Sequence, residues 1–65
     1  MSNYEKYSEV YRKNAEKMAV LKVMAETARK NGDKEAARRY RAQYTDIKAE
    51  IDAAAFAVIA ENRNA

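Results

Sequence analysis

A single turn-forming segment interrupts the helix-forming residues of this sequence, and it lies close to the middle of the chain. The 65 residues contain no proline and a single glycine, Gly32, which stands in the segment Asn31-Gly32-Asp33. Folds with many turns or β-hairpins need several glycines and prolines, because these residues adopt the backbone angles that tight turns require. We therefore expect one domain, residues 1–65, with one turn at residues 31–33.

The residues around this turn are those that end one helix and begin another. Gly32 suits the left-handed position after a helix, since it has no Cβ to clash. Asp33 can accept hydrogen bonds from the free N–H groups of a following helix, and Ser2 begins a capping-box pattern at the other end of the first helix. These signals predict helices over about residues 3–30 and 34–62.

The joint between the two predicted helices decides the fold. Because the helices are about equally long and the joint is short, we expect an all-α fold, an antiparallel two-helix hairpin. The alternative is one continuous helix, since a helix can run through a single glycine at a cost of only about 1 kcal/mol.

An apolar repeat at alternating steps of three and four residues runs through both predicted helices. Residues with this spacing share one face, which packs against a partner helix. Asn14 lies on that face, and we interpret it as a polar residue that sets the register of packing. The predicted contact face consists of Tyr4, Tyr7, Tyr11, Asn14, Met18, Leu21, Ala25 and Ala28 in the first helix, and of Ala37, Tyr40, Tyr44, Ile47, Ile51, Ala54, Val58 and Glu61 in the second.

This contact face is not the only apolar surface. From Ala53 to Ala60 the second helix is apolar on every side, which is typical of a helix inside a larger structure. A two-helix hairpin has no such interior, so we expect the chain to assemble into a homo-oligomeric helical bundle. The residues predicted to form the oligomer or partner interface are Val20, Val23, Met24, Ala49, Ala53, Phe56, Ile59 and Ala60.

The composition argues against catalysis. The sequence has no cysteine and no histidine, which excludes disulfides, thiol and imidazole chemistry and the usual zinc sites. One glycine cannot build a phosphate-binding loop or a dinucleotide fingerprint. Asp46, Glu50 and Asp52 are the nearest approach to a metal site, and we interpret them as solvated surface. We predict a protein that is not an enzyme and has no cofactor.

Basic residues concentrate around the turn and aromatic residues near the N-terminus. Six of the residues from 29 to 41 are lysine or arginine and two are acidic. Such an excess can bind phosphate, although cations that offset the helix dipole and keep the surface solvated explain it better. Three tyrosines on one helix face beside cations are able to stack against bases, although core packing is the explanation that we prefer for them. The candidate anion- or nucleotide-binding residues are Tyr4, Tyr7, Tyr11, Lys34, Arg38 and Arg41.

The residues around the turn also resemble a known helical joint. The segment ARKNGDKEAARRY, residues 28–40, is similar to the joint of tetratricopeptide-type hairpins, where Gly-Asp separates two helices and alanine and tyrosine follow at set offsets. The resemblance covers thirteen residues, and no second copy follows at the expected period. It implies a helical hairpin here and assigns no binding role to any residue.

Taken as a whole, these features predict a protein that acts by binding. We predict a protein-interaction module, a regulator, scaffold or inhibitor of a partner protein, that works as a homodimer or higher oligomer. The alternative is a binding module for nucleic acid or a small anionic nucleotide, using the N-terminal tyrosines and the basic turn region. No segment approaches the roughly 18 apolar residues of a membrane span, and no signal peptide is evident, so we expect a cytoplasmic protein without membrane contact.

Overall fold

The structure, a computed structural model that describes residues 2–63, consists of two α-helices packed against each other as a hairpin. Helix α1 spans Asn3–Lys30 and helix α2 spans Lys34–Arg63. Both predicted helices and the predicted turn are therefore confirmed, and the continuous helix is excluded. Within residues 2–63, neither helix has a stretch long and apolar enough to cross a membrane.

The turn combines the end of α1 and the beginning of α2 in three residues. Gly32 has φ = +77°; its N–H donates to the Arg29 carbonyl at 3.1 Å, and the Asp33 N–H donates to the Ala28 carbonyl at 2.9 Å. This pair of bonds is a Schellman motif, which satisfies the last carbonyls of a helix. The Asp33 carboxylate then accepts the Ala36 N–H at 3.1 Å and caps α2. The predicted roles of Gly32 and Asp33 are confirmed.

The hairpin core is small and consists largely of alanine. A cluster of three buried alanines lies beside the turn, with the half-buried ring of Tyr40 packed against it. Alanine side chains let two helices approach closely, but each removes little apolar surface from water. The buried apolar residues are Leu21, Ala28, Ala36, Ala37 and Ile51. All but Ala36 belong to the predicted contact face.

The predicted contact face is wrong for two of the three N-terminal tyrosines. Tyr4 and Tyr11 are 65% and 52% exposed, while Tyr7 is half-buried. The residue that replaces Tyr11 against α2 is Val10, which is half-buried. Val10 precedes the buried Ala28 by 18 residues, which is five helical turns, so the two side chains point the same way. Glu61, at the corresponding end of α2, is also exposed.

Asn14 is the one buried polar residue of the contact face in the part of the chain that the structure describes, with 9% of its surface exposed. Its Nδ2 donates to the Val10 carbonyl at 2.8 Å, one turn earlier in α1. No buried side-chain nitrogen or oxygen within residues 2–63 lacks a hydrogen-bond partner. The hairpin therefore accommodates Asn14 through a bond inside α1 and not through one to α2.

Candidate binding surfaces

The contact between α1 and α2 has two sides, which we call the flanks of the hairpin. Each flank is identified by residues of both helices that line the same cavity. On one flank, Lys22 of α1 and Arg41 of α2 line the same shallow cavity; we call this the arginine flank. On the opposite flank, Met24 of α1 and Tyr40 of α2 line another cavity; we call this the methionine flank. Residues that are 18 positions apart in a helix point the same way, so these assignments extend along both helices.

An apolar patch lies on the methionine flank near the turn. Val20, Val23 and Met24 are 49%, 64% and 38% exposed and line an open concavity of about 290 Å³ together with Ala19. Val23 and Met24 also border the neighbouring cavity against Tyr40, so the apolar surface continues onto α2. We call Val20, Val23 and Met24 the valine–methionine patch.

A second apolar patch lies at the other end of the hairpin. Phe56 and Ile59 are 69% and 53% exposed. Phe56 follows Arg38 by 18 residues and Ile59 follows Arg41 by the same interval, which places both on the side of α2 that belongs to the arginine flank. We call Phe56 and Ile59 the phenylalanine–isoleucine patch. It differs from the valine–methionine patch in flank and in distance from the turn.

The exposed tyrosines extend this second patch onto α1. Tyr4 precedes Lys22 by 18 residues and Tyr11 precedes Arg29 by 18, so both point toward the arginine flank. The Tyr7 and Tyr11 rings lie against each other, with centroids 6.1 Å apart and planes tilted by 41°. The end of the hairpin opposite the turn therefore carries aromatic and branched apolar side chains on one flank.

The predicted interface alanines lie on the side of α2 that carries Phe56, because Ala49, Ala53 and Ala60 stand seven residues before it, three before it and four after it. Ala49 and Ala53 are exposed, and Ala60 is half-buried. Ala53 borders a groove of about 350 Å³ between the helices, together with Lys6 and Val10 of α1. The predicted interface set is thus divided between two faces of the hairpin, the valine–methionine patch on α1 and the side of α2 that carries Phe56.

The basic residues of the turn region form one concave surface. Arg29, Lys34, Arg38 and Arg41 line a cavity of about 380 Å³, which we call the basic cavity. The candidate residues Lys34, Arg38 and Arg41 are brought together, as their spacing on one helix face requires. The spacing does not group Arg29 with them, because it comes from α1 and only the antiparallel packing places it beside α2.

The tyrosines and the basic cavity are separate sites on a single chain. Tyr11 and Arg29 lie 18 residues apart in α1, which is about 27 Å at 1.5 Å per residue. The hairpin itself is 50 Å long. A mononucleotide is shorter than this separation, so it cannot contact both sites on one chain.

The acidic residues of α2 are surface residues in the structure. Asp46 and Glu50 are exposed, and Asp52 accepts a hydrogen bond and ion pair from the Lys48 Nζ at 3.2 Å. Within residues 2–63, no three side chains of the cysteine, histidine, aspartate or glutamate type are grouped closely enough to hold a metal ion.

Comparison with known proteins gives no match, whether against protein-family models, curated protein sequences or solved structures. The described surface of the hairpin carries two apolar patches, a row of tyrosines and the basic cavity.

Proposed function

We propose that this chain is a non-enzymatic interaction protein that assembles with copies of itself and binds a partner protein as a regulator, scaffold or inhibitor. The observation that carries the proposal is the exposure of large apolar side chains on a hairpin with a small core. Phe56 is 69% exposed and Val23 is 64% exposed. No large side chain among the described residues is less than 2% exposed. Exposed apolar patches with polar surroundings are typical of protein-binding surfaces.

The accessible surface of the chain supports assembly. The chain exposes 5323 Å², and a compact monomer of its mass is expected to expose about 4,200 Å². The excess is larger than the roughly 800 Å² that each partner contributes to a standard interface. The radius of gyration of 14.9 Å likewise exceeds the value of about 11 Å expected for a compact domain of this length. A second copy would cover part of this excess.

The positions of the two apolar patches suggest two different occupants. They lie on opposite flanks and at opposite ends of the hairpin, so one flat partner surface cannot cover both. We assign self-assembly to the phenylalanine–isoleucine patch because the surrounding segment, residues 53–60, is apolar on every side of α2. We assign the partner protein to the valine–methionine patch, since Met24 can adapt its flexible side chain to an irregular apolar surface.

Charge favours the same assignment. Consider two copies that contact each other through their Phe56 ends and run antiparallel, with the two-fold axis perpendicular to the hairpins. Their turns would lie at opposite ends of the dimer. The two basic cavities would then be far apart, which keeps the repulsion between them small. A dimer through the valine–methionine patch would instead bring the two turn regions together.

The test of self-assembly compares two matched variants. Phe56→Asp and Val23→Asp each place one carboxylate at a highly exposed position of a helix, one in each patch. Multi-angle light scattering should show a dimer or larger species for the parent and for Val23→Asp at micromolar concentration. Phe56→Asp should be monomeric and should show weaker helical circular dichroism than the parent at the same concentration, because its open end loses the contacts that assembly supplies. A helical parent monomer of 7.4 kDa, or dissociation by Val23→Asp alone, would contradict the assignment.

The partner is tested by capture from the lysate of the native host, with and without nuclease treatment. We expect the parent chain and Phe56→Asp to retain a protein that Val23→Asp does not retain. Capture should be insensitive to nuclease and to moderate salt, because an apolar interface does not depend on phosphate contacts. Capture that is lost after nuclease treatment would favour the nucleic-acid alternative.

A further inference from the structure

The basic cavity combines cations from both helices. Arg29 lies in the last turn of α1, and Lys34, Arg38 and Arg41 lie in the first turns of α2. The C-terminus of α1 and the N-terminus of α2 meet at this turn, and their partial charges have opposite signs. The positive potential of the cavity therefore comes from the four side chains.

Few of these cations are neutralised within the chain. Glu26 lies 3.7 Å from Arg29, but no carboxylate of the described residues lies within 4.0 Å of the side-chain nitrogens of Lys34, Arg38 or Arg41. The nearby Asp33 carboxylate caps α2 by accepting the Ala36 N–H and forms no ion pair with these cations. Uncompensated cations repel one another, so a bound anion would relieve this repulsion as well as accept hydrogen bonds.

The number and kind of the cations indicate which anion fits. The cavity, about 380 Å³ in volume, is lined by exposed side chains, so a ligand would be held there by charge and hydrogen bonds and not by enclosure. Three of the four residues are arginines, whose planar guanidinium groups bind phosphate oxygens in pairs. We propose that the basic cavity binds a ligand with two or more linked phosphate groups, such as pyrophosphate or the phosphate chain of a nucleotide.

This site is independent of the proposed self-assembly and of the tyrosine row. All four cations belong to one chain, so each hairpin carries a complete cavity. The tyrosines lie about 27 Å away along α1 and take no part in binding the phosphate groups. A three- or four-residue basic site is too small to follow a nucleic-acid strand, so affinity should not grow with the length of an oligonucleotide.

Isothermal titration calorimetry at physiological salt tests the proposal with orthophosphate, pyrophosphate and adenosine triphosphate as probes. The parent chain should bind pyrophosphate and adenosine triphosphate more tightly than orthophosphate. The variant Arg38→Gln/Arg41→Gln should bind pyrophosphate at least tenfold more weakly, because glutamine cannot replace the charge-assisted hydrogen bonds that each guanidinium donates to phosphate.

The matched control is Arg12→Gln/Lys17→Gln. It removes the same charge from two exposed positions of α1 that lie at least 12 residues before Arg29 and do not line the cavity, and its affinity should stay within about twofold of the parent, the small effect expected of distant charges screened by salt. Glutamine has nearly the helix propensity of arginine and lysine, so both variants should keep the parent circular dichroism. Light scattering of both variants should match the parent, which separates this site from self-assembly.

A measurement on the parent alone provides an independent check. Nuclear magnetic resonance spectra recorded during addition of pyrophosphate should show amide shifts concentrated in residues 29–41. Absence of pyrophosphate binding, equal weakening in both double variants, or shifts confined to residues 4–11 would overturn the proposal. Binding restricted to oligonucleotides, with affinity that increases with their length, would also overturn it and would favour a nucleic-acid surface.

Discussion

The two halves of the hairpin differ in how firmly their helices are held together. The turn half, residues 17–48, contains four of the five buried apolar residues, together with the Schellman motif and the cap of α2. The open half, residues 2–16 and 49–63, has Ile51 as its buried apolar residue and Asn14 as a buried amide. The aromatic side chains with the largest exposed fractions, Phe56 and Tyr4, also lie in the open half.

This difference shows which half of the hairpin holds the two helices together. Small alanines and a fully hydrogen-bonded turn let the turn half close on itself. The open half places larger apolar side chains outside the helix–helix contact, where the hairpin alone does little to remove them from water. The turn half therefore contributes most of the buried apolar contact between the two helices, and the open half contributes little of it.

The largest expected change in the free energy of unfolding comes from truncating a buried side chain of the turn half to alanine. The comparison is the same truncation at an exposed side chain of the open half. Leu21→Ala should lower the free energy of unfolding by about 2–5 kcal/mol, because Leu21 is 5% exposed and its removal leaves a cavity. Ile59→Ala, at 53% exposure, should lower it by less than about 1 kcal/mol in dilute, unassembled protein. Alanine is a better helix former than either residue, so the difference reports packing. Urea unfolding followed by circular dichroism would check it, and equal losses would mean that both halves are packed alike.

The next effect concerns the backbone of the turn. An added Cβ at Gly32 would meet no atom within 4 Å, so the cost of substitution comes from its positive φ and not from a clash. Gly32→Val should therefore lower the free energy of unfolding by about 1–2 kcal/mol, and Gly32→Asn by less, because asparagine tolerates the left-handed region. Thermal unfolding of the two variants against the parent measures this order. Equal stability of the valine variant and the parent would show that the turn can form with negative φ.

The smallest expected loss of stability comes from removing the side chains that cap the N-termini of the two helices. Asp33 and Ser2 each accept one backbone N–H at 3.1 Å, from Ala36 and Glu5 respectively. Asp33→Ala should cost about 0.5–2 kcal/mol, since its part-buried bond supports the turn that joins both helices. Ser2→Ala should cost less, because the exposed first turn of α1 can fray without separating the helices. Hydrogen exchange of amides 3–6 and 34–37 would resolve the two effects, and a larger loss for Ser2→Ala would contradict the assignment of stability to the turn half.

The local chemistry of the sequence determined the helices and the turn between them. The helix bounds and the positive φ of Gly32 follow from residues next to one another in the chain, as does the capping by Asp33. Backbone hydrogen bonding at a helix end depends on the four or five residues around it, and these are all adjacent in the sequence. The spacing of Leu21, Ala37 and Ile51 likewise identified the faces that become buried.

The tertiary structure alone decided which residues of the open half face α2 and which cations share a cavity. A straight helix drifts by about 20° per heptad from the repeat of 3.5 residues used to predict the contact face. From Ala28 back to Tyr11, about two and a half heptads, this drift accumulates to roughly 50°, which turns Val10 toward α2 and Tyr11 away from it. Arg29 joins Arg38 for a related reason: residues far apart in the sequence become neighbours only when the packing of two helices has set the rotation of each.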